Sequence, residues 1–236
     1  MAEYLSDEEQ IDRLKRLIRQ YGSSALSGVL LALIAYFGWN YWQQGQQADQ
    51  FALNNQYNTL IDASKAVSTS PTDTAARTKF LAQANTLVKN NPDTAYAYQT
   101  LLLEANVAIE RQDYAAAEKA LTTASGMTLK DAGLTQLALI RLARVQAQLG
   151  KSDVALASVA KVTETAFVAT ANELKGDILL LKNDKAGAQK AYQVAWDALA
   201  KRKTPRQLLK VKMESLGMTV AEIEQPNALK AEGSAP

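Results

Sequence analysis

The stretch RLARVQAQLGKSDVALASVAKV (residues 141–162) decides the fold of this 236-residue chain. Ala143 and Ala155 stand twelve positions apart, on either side of a turn at Gly150. Apolar residues on both flanks recur at intervals of three and four, which gives each flank one apolar helical face. Two short helices therefore fold back on each other, with alanine where their axes approach. The same frame fits the chain twice more. Ala143, Gln146, Gly150, Ser152, Ala155, Val159 and Val162 form the central copy. Ala105, Ala108, Gln112, Tyr114, Ala117, Leu121 and Ala124 precede it; Gly176, Leu179, Asn183, Lys185, Ala188, Tyr192 and Ala195 follow. From Ala117 to Ala155 is 38 residues, and from Ala155 to Ala188 is 33.

A period near 34 with small residues at the helix crossing is the signature of tetratricopeptide repeats, whose hairpins bury their faces by stacking. The departures are a Gln and a Leu where a Tyr is usual, and no Trp at the first position. The expected fold class is all-α: a single N-terminal transmembrane helix followed by a TPR-like α-solenoid of helix hairpins over residues 43–223. A generic helical bundle with Ala-rich contacts is the alternative. Upstream, Leu53, Tyr57, Leu60, Ile61 and Ser64 predict an amphipathic helix that STSPTDT (residues 68–74) breaks. A second helix carries Ala76, Phe80, Ala84, Leu87 and Val88, and Asn91-Pro92 reads as the cap and first residue of a third. Further breaks are expected at residues 111–113, 126–130, 150–152, 163–166, 183–184 and 201–204. Downstream, Thr204-Pro205 opens a capping helix whose Leu208, Leu209, Lys212, Met213 and Leu216 would cover the last hairpin, closed by Gly217. Residues 224–236 lack periodicity and read as a flexible tail.

A different pattern governs the N-terminal part. Between Arg19 and Asp49 no residue is charged, and the apolar heart SSALSGVLLALIAYFGWNYW covers residues 23–42. Twenty helical residues reach roughly 30 Å, the thickness of a bilayer's hydrocarbon core. Tyr36, Trp39, Tyr41 and Trp42 cluster at one end, where amphipathic rings favour the headgroup layer, and Tyr21 sits at the other. The run exceeds a signal-peptide core and ends without a small-x-small site, so it reads as an uncleaved anchor. Arg13, Lys15, Arg16 and Arg19 precede it, while the first basic residue after it is Lys65. Positive charge stays inside, which places residues 1–22 in the cytoplasm and the C-terminal part across the membrane, in a bacterial periplasm.

Composition narrows the chemistry. The chain has no Cys and no His, which removes disulfides, thiolate metal sites and the commonest general base. The formal charge of +2 gives no reason to expect a nucleic-acid partner. No phosphate-binding, dinucleotide-binding or nucleophile-elbow motif occurs, and the acidic pairs Glu8/Glu9 and Glu222/Glu224 read as solvated faces. The densest basic run, Lys201-Arg202-Lys203 with Arg206, suits a helix C-terminus. No catalytic residue, cofactor or metal site is expected, and the chain does not read as an enzyme.

Two surfaces are candidates for binding. Ser24, Gly28 and Ala32 repeat every four residues, a small-residue stripe on which another membrane helix could pack closely; chance placement is the other reading. In the repeat region the first helices of successive hairpins point Gln99, Leu102, Asn106, Arg144, Gln148, Glu173 and Asp177 toward the inner curve. Their mixture of charge, amide and apolar character suits a peptide-binding groove; plain solvent exposure is the alternative.

The N-terminal EEQIDRLKRLIRQYG, the anchor ending in GWNYW, RLARVQAQLGKSDVAL and LKGDILLLKNDKAGAQKAY together resemble one family. It is the ancillary subunit of the SecYEG translocon, the YfgM-type membrane-anchored periplasmic tetratricopeptide proteins of Gammaproteobacteria. The similarity runs from about Tyr4 to Met218. The resemblance implies an inner-membrane protein that associates with SecYEG and with the membrane-anchored periplasmic chaperone PpiD, and that helps pass emerging client polypeptides to periplasmic chaperones. A membrane-anchored scaffold for a different envelope-assembly complex would have the same architecture.

Overall fold

The computed structural model describes the backbone of residues 7–224. Side chains at positions 7–10, 13–14, 17–18, 22–26, 29, 46 and 48 are outside the described set, Ser24 of the small-residue stripe among them. Residues 1–6 of the expected cytoplasmic segment and 225–236 of the expected tail also lie outside it.

The chain divides into two compact units, residues 1–55 and Gln56–Pro236. Helix α1 (Asp7–Thr69) contributes to both. In the first unit the apolar run is helical. Leu30, Leu31, Leu33 and Ile34 are each about half exposed or more, and Tyr36, Phe37, Trp39, Tyr41 and Trp42 are exposed as well. No helix among the described residues is long and apolar enough to cross a membrane.

The second unit continues through α2 (Thr74–Asn90), α3 (Ala95–Glu110), α4 (Tyr114–Ser125), α5 (Ala132–Gln148) and α6 (Ser152–Ala160). After a 3₁₀ turn at Thr165–Phe167 come α7 (Val168–Leu181), α8 (Lys185–Lys201) and α9 (Gln207–Ser215). Among the described residues there is no strand. The links coincide with the breaks expected from turn chemistry, and α3/α4, α5/α6 and α7/α8 are the three hairpins of the sequence frame.

All three hairpins turn alike. Gln112, Gly150 and Asn183 take left-handed φ values of 61°, 73° and 60°. The next residue donates its N–H back into the first helix: Asp113 to the Ala108 carbonyl at 2.8 Å, Lys151 to Gln146 and Asp184 to Leu179, both at 2.9 Å. These six-to-one bonds satisfy carbonyls that a helix end would otherwise orphan. Asp113 and Asp184 then cap the second helix, accepting from Ala116 N at 3.1 Å and Gly187 N at 2.8 Å.

The crossings are dry. Ala105, Ala117, Ala143, Ala155 and Ala188 are at most 1% exposed. Four residues beyond the second-helix alanine stand Leu121, Val159 and Tyr192, and the small residue opposite answers their size. Ala105 and Leu121 share one core cluster, and Ala143 and Val159 another. Opposite Tyr192 even a methyl group is too large: a Cβ on Gly176 would lie 2.4 Å from Tyr192 Cε1. Neighbouring hairpins are tied by buried polar groups. Tyr98 Oη on the first donates to the Leu134 carbonyl on the second (2.7 Å), while Gln136 Oε1 on α5 accepts from Thr163 N in the link that leads on to the third (2.8 Å).

Three expectations shift at the ends of elements. Asn91 closes α2 rather than opening α3: its Nδ2 donates to the Leu87 carbonyl at 3.0 Å. The cap of α3 is Thr94, whose Oγ1 accepts from Ala97 N at 3.2 Å. The last helix starts at Gln207 rather than directly after Pro205. On it Leu209 and Met213 are fully buried, while Leu208 is 63% exposed and covers nothing. Gly217 ends this helix at φ 78°, and Met218, Val220 and Ile223 pack back on the same core.

Candidate partner-binding site

The seven groove residues fall into two groups. Asn106, Arg144 and Asp177 each follow the crossing residue of their first helix, so the repeat sets them in one row. Asn106 and Arg144 are exposed, as are Gln99 on α3 and Gln148 on α5, and Leu102 is half-buried beside them. The row thus offers amides, a guanidinium and a partly covered leucine, on helices whose opposite faces are locked in the core. These groups can form hydrogen bonds, ion pairs and apolar contacts.

Glu173 and Asp177 have another task. Glu173 is 9% exposed and accepts from Arg206 Nη1 at 2.5 Å and Lys212 Nζ at 3.0 Å. Asp177 accepts from the same Lys212 Nζ at 2.9 Å and from Tyr192 Oη at 2.7 Å. Burial by itself would raise the Glu173 carboxyl, but hydrogen bonds and charge from Arg206 and Lys212 outweigh it and hold the group below the usual carboxylate range. Burial works against the Lys212 ammonium too, and its two carboxylates more than compensate, leaving its pKa raised. Burial and the bond to Asp177 push the Tyr192 phenol upward, away from ionisation. The two residues expected to carry the groove onto the third hairpin are therefore engaged by Arg206 and Lys212, at the start of and on the chain's own capping helix.

In the sequence this latch is only two acids four apart on α7 and two cations six apart near α9, which the packing of α9 against α8 brings together. Two members of the basic run reach other elements instead of the end of their own helix, Arg206 at Glu173 and Arg202 at the 3₁₀ turn. Arg202 donates from its guanidinium to the Thr165 and Ala166 carbonyls, and Glu222 of the acidic pair accepts from Lys210 at 2.9 Å. Among the described residues no group of acidic side chains could hold a metal ion.

A family model described as a tetratricopeptide repeat-like domain matches residues 15–218. An ancillary SecYEG translocon subunit of Haemophilus influenzae is 34% identical over 217 residues, covering 92% of this chain and 100% of that relative. The chain belongs to the ancillary SecYEG translocon subunit family. Members of this family from Aggregatibacter actinomycetemcomitans and Escherichia coli are 32% and 28% identical, over 92% and 82% of this chain and 100% and 88% of their own lengths. No solved structure matches this chain. The names of these relatives describe them as ancillary subunits of the SecYEG translocon. The repeat-like match also decides between the two folds open to the sequence, since the hairpins of this ancillary subunit stack as repeats.

Proposed function

We propose that this ancillary translocon subunit is a single-pass inner-membrane adaptor. Residues 23–42 span the bilayer, 1–22 stay in the cytoplasm, and 43–223 form a periplasmic repeat domain. The exposed row Gln99, Leu102, Asn106, Arg144 and Gln148 binds SecYEG or a PpiD-like chaperone, and the adaptor helps hand emerging chains to periplasmic chaperones.

The observation that carries this reading is the apolar helix whose large described side chains are exposed. Leu30, Leu31, Leu33, Ile34, Tyr36 and Trp39 together face every side of the helix and are 46–68% exposed. A helix apolar on every side is at home in protein core or lipid, not in water. A Cβ at Gly28 or Gly38 would meet nothing within 4 Å, so no packing among the described residues asks for these glycines. A partner membrane helix against the Gly28–Ala32 stripe would give them a use. The mechanism is effective concentration: a domain tethered beside the exit site meets each emerging segment almost intramolecularly.

Affinity purification of the full chain from membranes in mild detergent tests it. Co-enrichment of SecY, SecE, SecG and PpiD is expected. Enrichment of cell-wall synthesis enzymes without SecYEG would assign the same architecture to another envelope complex.

A further inference from the structure

A cavity of about 320 Å³ opens between α2 and α4 with α3 as its floor. Its walls are apolar, from Leu81 and Val88 on α2, Leu101 and Val107 on α3, and Ala120 on α4. That volume is at the small end of ligand pockets (roughly 300–1,000 Å³), enough for a large side chain and its neighbour. On α3, Leu101, Glu104 and Ala108 lie roughly half a turn from Gln99, Leu102 and Asn106, so the cavity is separate from the exposed row.

Glu104 stands in this floor. At its frame position the second hairpin has Leu142, buried at 5% within the core, and the third has Lys175. Stacking therefore accepts a hydrocarbon here and does not ask for a carboxyl. Among the described residues no group donates a hydrogen bond to Glu104. Burial pushes its carboxyl up to about 7, with Lys119 drawing it partly back. The charged groups around it are Arg77 from α2, Arg111 from α3, and Asp113 and Lys119 from α4 and its cap. Asp113 is already used, capping α4 and pairing with Arg77 at 3.3 Å. The rim is left net positive, and more so whenever Glu104 is protonated.

We propose that this cavity is a second peptide site: an extended segment seats an apolar side chain between α2 and α4 and sets an adjacent carboxylate against Arg77, Arg111 and Lys119. An ionised Glu104 repels that carboxylate; a protonated one donates a hydrogen bond to the peptide. Binding therefore strengthens as pH falls through the neutral range. Peptide as the ligand class rests on the adaptor reading, but the test below involves no translocon, so the two fail separately.

The full chain in lipid nanodiscs is titrated against three short fluorescein-labelled peptides in a Gly/Ser background, with a central Leu-Asp, Leu-Lys or Ser-Asp pair. Anisotropy is read at about pH 6 and about pH 8, either side of the Glu104 value. The Leu-Asp peptide should bind at pH 6 about tenfold more tightly than the other two, and several-fold more weakly at pH 8. Glu104→Gln should keep the tight binding and lose its pH dependence. Lys119→Glu, a change at an exposed position that leaves the core alone, should weaken Leu-Asp binding about tenfold. Equal binding of Leu-Asp and Leu-Lys, an unchanged Leu-Asp isotherm in Lys119→Glu, or no binding of any peptide would overturn the proposal.

Discussion

Gly176→Ala places a methyl group where α7 and α8 cross. In an ordinary helix interior this change gains about 1 kcal/mol, because alanine is the better helix former. Here the new Cβ would stand 2.4 Å from Tyr192 Cε1 and 2.5 Å from Cδ1, far inside carbon–carbon contact. The ring has no escape: it is fully buried, and its hydroxyl is held by Asp177. Space must come from moving α8 off α7, and overpacking of this kind costs about 1–3 kcal/mol, at the upper end for so short a contact. The net expectation is a destabilisation of about 1–2 kcal/mol, or some 2–8 °C in Tm for a domain of this size. Thermal melts of the full chain in detergent, followed by circular dichroism, read it directly. A Tyr192→Leu background supplies the control, since without the ring the alanine should become neutral or stabilising. If Gly176→Ala stabilises the protein with Tyr192 in place, the size-matching of the crossing residues is refuted.

Ala155→Leu should cost about 1–3 kcal/mol in the same melts, since Ala155 is fully buried among Ile140, Ala143, Val159 and Ile178. Lys151→Ala, which removes only an exposed pair with Glu118, should cost less than about 1 kcal/mol. Glu173→Gln should loosen α9 and cost about 1.5–3 kcal/mol at neutral pH, read as earlier proteolysis near residue 206 and a lower Tm. The folded pKa of Glu173 is depressed, so its contribution is present above the ordinary carboxylate range and fades as pH falls through the folded value. The difference between wild type and Glu173→Gln should therefore shrink in acid; a difference independent of pH would mean the carboxylate charge is not what holds the helix. Gly28→Leu should leave membrane insertion intact and weaken co-purification with SecYEG, because the added isobutyl group blocks close approach of another membrane helix. Unchanged co-purification would make the stripe incidental.

The hairpins were legible because their determinants are local. An Ala or Gly at every crossing, a residue able to turn left-handed and, in the first and third hairpins, an aspartate to cap the next helix all lie within a dozen positions of one another. Asn91-Pro92 misled because asparagine can cap either end of a helix, and the choice depends on whether its amide reaches back to the Leu87 carbonyl. The groove was half legible. Periodicity placed Asn106, Arg144 and Asp177 in one row, but it could not say that the capping helix would bring Lys212 onto the last of them and Arg206 onto Glu173 one turn earlier. Glu104 escaped notice for a related reason. Its sequence neighbours are unremarkable, and only the approach of α2 and α4 takes water away from it.

The central claim is that the row on the first two hairpins meets the translocon while the chain is anchored beside it. Site-specific photocrosslinking in living cells tests this most directly, with the probe placed in turn at Asn106, Arg144 and Gln148, and at exposed Lys190 on α8 as the control. The account predicts adducts to SecYEG subunits or to a PpiD-like chaperone from the three row positions and none from Lys190. Adducts from Lys190 with silence along the row would contradict it.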